Sequence, residues 1–155
     1  MTTNLRELGL EETILAYETL LELRPHLTSK ESFVSRVNSV QRAEGYRLVA
    51  AFVTTEVAAV AVAGFRTLHS LAWGYAVYVD DLVTRQAHRK QGHSGAIMRW
   101  VFDEARRLGC DEVHLDSGVQ RHPAHRFYIN HGMRISSHHF ASAVAPCPVS
   151  WSGPT

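Results

Sequence analysis

Cysteine is scarce. Cys110 and Cys147 are the two in 155 residues, they form no close-pair motif, and reduced thiols in a cytoplasmic setting are the expectation. No apolar run is long enough to span a bilayer, so no membrane partner is expected. The opening MTTNLRELGLEET lacks a basic stretch followed by an apolar one, and no signal peptide is expected. Charge of either sign is nearly absent in the balance: 16 Lys and Arg against 15 Asp and Glu leave +1, no reason to expect nucleic acid. The 10 histidines are scattered without HExxH or CxxC, so no metal is expected. A Walker lysine followed by Ser or Thr is missing, as is GxGxxG after a first strand, which disfavours other nucleotide-binding classes. Repeats and low-complexity segments are lacking too. What remains is an ordinary globular composition, 45% hydrophobic and 20% charged, sized for a single domain over residues 1–155.

The apolar spacing changes period along the chain. Residues 3–8 are a short strand or a lead-in. Ile14, Leu15, Tyr17, Leu20, Leu21 and Leu23 predict a helix over 10–23, which Pro25 stops. Thr28 to Glu31 has the capping-box pattern, and the helix it starts carries Phe33, Val34, Val37 and Val40 on one face before Gly45 ends it. Residues 46–53 and 56–65 are strand-like and joined by a short turn, which predicts an antiparallel hairpin. Residues 67–73 are expected to form a loop, and 75–84 a third strand. Ile97, Trp100, Val101, Ala105 and Leu108 predict a helix over 94–108 with Gly109 just past its end. Strand 113–117 then completes a βαβ unit with 75–84, which should be parallel. Pro123 starts a short helix to 131, Gly132 ends it, and 133–141 is expected to be another strand. The tail, with Val149 and Trp151, holds a final edge strand or none and hints at a homodimer. The order predicts an α/β mixed sheet with helices on both faces.

One stretch carries a chemical signal. Leu82 to Gly109 runs from strand through a basic, glycine-containing turn into a helix. The first turn of a helix has N–H groups without intrahelical partners and the positive end of the macrodipole. Arg85, Arg89 and Lys90 add charge there, and Gly92 and Gly95 remove side chains where phosphates would approach the backbone. A pyrophosphate-bearing ligand is the inference.

The flanking motifs narrow it. Arg89-Lys-Gln-Gly92-His-Ser94 matches Arg/Gln-x-x-Gly-x-Gly/Ala; Asp81-Leu-Val-Thr84 precedes it, and Gly109 to Asp116 follows its helix. Ala124-His-Arg-Phe-Tyr128 with His131-Gly132-Met133 matches Ala-x-x-Phe-Tyr…x-Gly-Phe. In these motifs the chain resembles the GNAT-type N-acetyltransferase superfamily over roughly residues 75–140. Ser94 departs from the usual Gly or Ala, and Arg121 stands where many members have Asn.

The resemblance implies a largely antiparallel sheet with a central parallel pair. It implies acetyl-CoA as donor, with the pyrophosphate held by residues Arg89, Lys90, Gln91, Gly92, His93, Ser94 and Gly95. It implies that Leu82, Val83 and Thr84 offer backbone groups to the pantetheine, the N–H of Leu82 or Val83 polarising the thioester carbonyl. Tyr128 is implied as general acid; the bland alternative is a packing residue on a short helix. Asp80 and Asp81 are candidates to take the amine's proton through a water or to bind a cationic group. Otherwise they are strand-end carboxylates in solvent or paired with Arg85. Glu56 and Tyr46 are further candidates for the base. His93, His122 and His125 have a suitable pKa class or serve as surface and polar-contact residues. Trp73, Tyr75 and Tyr78 line an acceptor pocket or belong to the core. The acceptor expected is a small-molecule amine, with protein N-terminal or lysine acetylation and a non-catalytic acyl-CoA-binding module as competing readings.

Overall fold

The computed structural model describes residues 3–145. The chain divides into two compact units, Met1–Leu115 and Asp116–Thr155. The tail on which an edge strand and a dimer contact were expected, Val149 and Trp151 included, lies outside the described residues.

The first unit is a five-stranded sheet in the order β1 (Asn4–Glu7), β2 (Arg47–Phe52), β3 (Ala61–Ser70), β4 (Gly74–Thr84), β5 (Glu112–Leu115). Its pairings are antiparallel except β4 with β5, which are parallel. Between β1 and β2 lie α1 (Tyr17–Leu23), entered through a 3-10 run Leu10–Ala16, and α2 (Lys30–Arg36). The helix α3 (His93–Leu108) crosses from β4 to β5.

Alternation along the strands builds two cores. Leu48, Ala50, Val62 and Val83 face Tyr17 and Leu20 of α1 and Phe33 of α2. Val49, Ala51, Ala63, Phe65, Val77 and Val79 face Ile97, Val101 and Ala105 of α3. Each fully buried large side chain contributes about 1.5–3 kcal/mol, so both faces need a helical cover. The expected mixed, largely antiparallel sheet with helices on both faces is what forms.

Several local expectations are corrected. The capping residue of α2 is Ser29, whose hydroxyl accepts from Ser32 N at 3.2 Å; Thr28 lies one position early. The second hairpin strand starts at Ala61 and runs to Ser70, so the expected loop over 67–73 shrinks to residues 71–73. Cross-strand pairing with Gly74–Tyr78, including the stacked rings of His69 and Tyr75 at 4.5 Å, supplies what the mixed polarity of 66–70 hides. Continuity after α2 is kept by a π turn, Val37–Gln41, and a 3-10 turn, Arg42–Glu44. That turn aims Asn38 at Thr13 (2.7 Å) and Arg42 at the carbonyl of Leu8 (2.9 Å).

The second unit contains α4 (His122–Asn130). No strand forms at 133–141; this stretch is largely exposed, with Ile135 and Phe140 among the exposed apolar residues. Only Met133 and Ile135 give it alternation, and four polar residues interrupt the pattern before Phe140. Among the described strands, the parallel pair therefore stands at the end of the sheet order, with β5 last, where a central position was expected.

Candidate active site

The register of β3 against β4 slips once, between Gly64 opposite Asp81 and Phe65 opposite Val79. Asp80 is the extra residue, a β-bulge. The slip inverts the alternation of β4. Before it, Val77 and Val79 face α3; after it, Val83 faces α1. Asp80 and Asp81 consequently share the α1 face. Tyr78 falls on that face by alternation, whereas Tyr75 stacks on His69 on the opposite one and Trp73 stacks on His114 at 3.7 Å.

Neither carboxylate pairs with Arg85, which instead lies 3.1 Å from Glu56, itself 3.4 Å from His88. Asp81 accepts from Arg24 Nε at 2.9 Å and from the Tyr46 hydroxyl at 2.8 Å. Asp80 accepts from Arg66 Nε at 3.0 Å. Burial pushes the Asp80 carboxyl above its ordinary range, partly offset by the Arg66 guanidinium. Burial, then the Asp81 charge and hydrogen bond, push the Tyr46 phenol well above its ordinary value. Tyr46 is thus a donor held protonated. Its ring fills the space over Gly64, where an added Cβ would sit 1.8 Å from the phenol oxygen.

Past Val79, the last residue paired with Leu115, β4 continues five residues further to Thr84. Arg85 N donates to Val60 O at 2.9 Å, so Arg85 and Val83 face β3 in the antiparallel ladder. Leu82 and Thr84 then turn their backbone groups to the other edge. Of the two N–H groups expected to polarise a carbonyl, the one on that edge is Leu82's. Consistently, the Thr84 carbonyl accepts from Arg89 Nε at 3.3 Å.

The turn after β4 is shaped for close approach to its backbone. Lys90 has φ +62°, and Gly92, at φ +85°, precedes α3 with nothing within 4 Å of a would-be Cβ. Among the described residues no side chain caps α3, and its first intrahelical bond runs from Ala96 N to Gly92 O. The N–H groups of His93, Ser94 and Gly95 have no acceptor within the helix. These features fit a pyrophosphate. The Ser94 hydroxyl lies 2.6 Å from that of Thr84, and Gln91 Nε2 reaches Ala87 O at 3.5 Å. The His93 imidazole turns away from the turn: it is 3% exposed, with Nδ1 3.1 Å from the Thr3 hydroxyl. Burial, with His88 nearby, lowers its pKa and keeps it neutral.

In the second unit, Pro123 sits in the first turn of α4, and Tyr128 lies beside Phe127, ring centroids 5.4 Å apart. Burial raises the Tyr128 pKa against the opposing charge of Arg121. Arg121 precedes α4 and shapes its entry: its N–H donates to Gly118 O at 3.0 Å, and its carbonyl accepts from His125 N at 3.1 Å. His125 Nε2 bonds Gly118 O at 2.8 Å, a polar contact closing the same turn, and the His122 ring lies 5.8 Å from that of His125.

Arg24 and Arg66 were missed by sequence reasoning. Arg24 is 57 positions from Asp81 and carries no local signal. Gly64 inside a strand pattern was the one available mark of a bulge.

Residues 12–133 match the acetyltransferase (GNAT) family. The chain is 33% identical to YhdJ of Bacillus subtilis (strain 168), an uncharacterized N-acetyltransferase, over 135 residues, 86% of this chain and 93% of the relative. It is 30% identical to the aminoalkylphosphonate N-acetyltransferase of Salmonella typhimurium over 66 residues, 43% of each chain. The solved structure of AAC(6')-Iy in complex with the bisubstrate analog CoA-S-monomethyl-acetylneamine shares the fold. Its TM-score is 0.80 at 11% identity, over 94% of this chain and 99% of that one. On the matched residues and the shared length, the chain belongs to the acetyltransferase (GNAT) family and is an N-acetyltransferase with acetyl-CoA as donor.

Proposed function

We propose that the protein acetylates a primary amine of a small molecule by direct attack, with Tyr128 as general acid. The observation that carries the donor half is the uncapped start of α3 behind the free edge of β4. The N–H groups of the turn, with Arg89 and Lys90, hold the pyrophosphate of acetyl-CoA. Leu82 N–H, on the edge beyond β5, polarises the thioester carbonyl. Acetyl-CoA supplies the activated acyl group; the chain supplies position and protons.

The amine nitrogen attacks the thioester carbon, a C–N bond forms and the C–S bond breaks. The proton leaving nitrogen passes to the carboxylates at the bulge, and the departing sulfur takes the phenolic proton of Tyr128. An alkylammonium near pKa 10.4 costs roughly 4–5 kcal/mol to deprotonate at pH 7, which is the task for Asp80 and Asp81. The raised Tyr128 pKa keeps the phenol protonated and able to donate. A small amine is favoured by the relative acting, by its name, on aminoalkylphosphonates.

The test is thiol release from acetyl-CoA across a panel of amino acids, aminoalkylphosphonates, polyamines, aminoglycosides and short peptides, with CoA binding followed by calorimetry. Release with one class of small amine is expected. Release with peptides alone would move the acceptor to protein N-termini or lysines. Absence of both thiol release and CoA binding would overturn the proposal.

A further inference from the structure

Asp80 and Asp81 are neighbours on one face, yet they are held differently. Asp81 uses both oxygens inside the protein: Oδ1 lies 2.9 Å from Arg24 Nε and 2.8 Å from Nη2, and Oδ2 accepts from Tyr46 at 2.8 Å. Arg24 Nη2 also donates to the backbone carbonyl of Asp80 at 3.2 Å. One guanidinium at the end of α1 therefore grips the side chain of one bulge residue and the backbone of the other. Asp80 is bound through one oxygen, Oδ2, to Arg66, and its side chain is 24% exposed against 15% for Asp81.

We propose that Arg24, Asp81 and Tyr46 form a clamp that positions the bulge, and that Asp80 alone of the pair meets the acceptor's ammonium group and takes its proton. This rests on the acetyl-transfer reading above. A carboxylate accepting from a guanidinium and a phenol has both oxygens occupied. Asp80 keeps an oxygen outside the Arg66 contact, and burial raises its pKa above the ordinary carboxylate range. A bulge breaks the ladder at the residue that must be aimed, so a side chain from another element is needed to fix it. The ionisable groups around Asp80 are Arg66 on β3, Arg24 at the end of α1, Glu44 and Tyr46 ahead of β2, and Asp81 and Tyr78 on β4. Asp81 raises the Asp80 pKa, and Arg24 neutralises Asp81.

The test measures kcat and KM for both substrates across pH, using the best amine of the panel, for the unaltered enzyme and for D80N, D81N, R24Q and R24K. D80N should lose the acidic limb of kcat/KM for the amine and fall ~100-fold or more, with KM for acetyl-CoA unchanged. D81N and R24Q should keep the limb and lose about tenfold in kcat. The limb should move to lower pH in D81N, which removes a negative neighbour, and to higher pH in R24Q, which exposes Asp80 to an uncompensated Asp81. R24K should recover only part, because an ammonium cannot grip two groups as a fork does. Thermal unfolding of each variant separates misfolding from misplacement. Loss of the limb in D81N with its retention in D80N would overturn the assignment, as would an R24Q enzyme indistinguishable from the unaltered one. No turnover by the unaltered enzyme would bring down the acetyl-transfer reading and the clamp together; turnover with a D80N limb intact brings down the clamp alone.

Discussion

The hydroxyls of Thr84 and Ser94 lie 2.6 Å apart and join the end of β4 directly to the first turn of α3. Ser94 is a departure from the Gly or Ala of the family pattern, and this bond gives it a function in the turn. S94A should cost about 0.5–1.5 kcal/mol of stability, the net worth of one hydrogen bond. S94D should retain or improve stability, because a carboxylate suits a helix N-terminus by about 0.3–1 kcal/mol. The same charge should repel a pyrophosphate and weaken CoA binding at least tenfold, about 1.4 kcal/mol. Calorimetry and thermal melting on the two variants check this; unchanged CoA affinity in S94D would remove the turn from the donor site.

Tyr128→Phe removes the phenolic proton and keeps the ring. A fall in kcat of ~10²–10³-fold is expected, within the range of general acid catalysis, with KM for acetyl-CoA little changed. Because burial raises the Tyr128 pKa above its ordinary value of 10.0, no loss of activity from its ionisation is expected below that pH. Undiminished turnover by the variant with any accepted amine would exclude Tyr128 as the acid.

Gly64→Ala tests the link between the bulge and its support. The new Cβ would lie 1.8 Å from the Tyr46 oxygen and 2.2 Å from Cζ, so the ring must leave its buried position. Overpacking of this kind costs about 1–3 kcal/mol, and the hydrogen bond to Asp81 goes with it. Lower melting temperature and lower kcat are expected together. A variant matching the unaltered protein in both would show that Tyr46 has room to move.

Acid stability should depend on Glu104 in α3. Its carboxylate accepts from Arg107 Nε and Arg47 Nη2 at 2.7 and 2.6 Å, and these bonds lower its pKa from 4.5 to about 2. Since the folded value is depressed, the stabilisation is complete above the ordinary value and drains away as pH falls toward about 2. E104Q should therefore lose about 2–3 kcal/mol at neutral pH, and less as the acid is approached. Denaturant melts at pH 7 and pH 3 measure the difference; equal losses at both would contradict the ionic origin.

Much of the fold is legible in the sequence because it depends on period. Ile97, Val101 and Ala105 announce α3, and the unbroken apolar run from Leu48 to Ala51 announces a strand covered on both sides. The basic turn is equally local: Arg89 to Gly95 combines charge, small residues and a helix start within seven positions. The extension of β3 through Ser70 was hidden, since its mixed-polarity half is held by pairing with residues 74–78. The strand expected at 133–141 fails for the converse reason, an alternation too brief to mark one.

The sequence by itself determined the donor, the family motifs and the candidates Asp80, Asp81 and Tyr128. Tertiary structure decided how the carboxylates differ. The bulge turns both toward α1, and only folding brings Arg24 across 57 positions to one and Arg66 across 14 to the other. Periodicity reports which face a residue takes along a regular element; it cannot report a register slip or a partner from another element. Those are set by long-range packing, which is why the surroundings of Asp80 and Asp81 are absent from the local pattern.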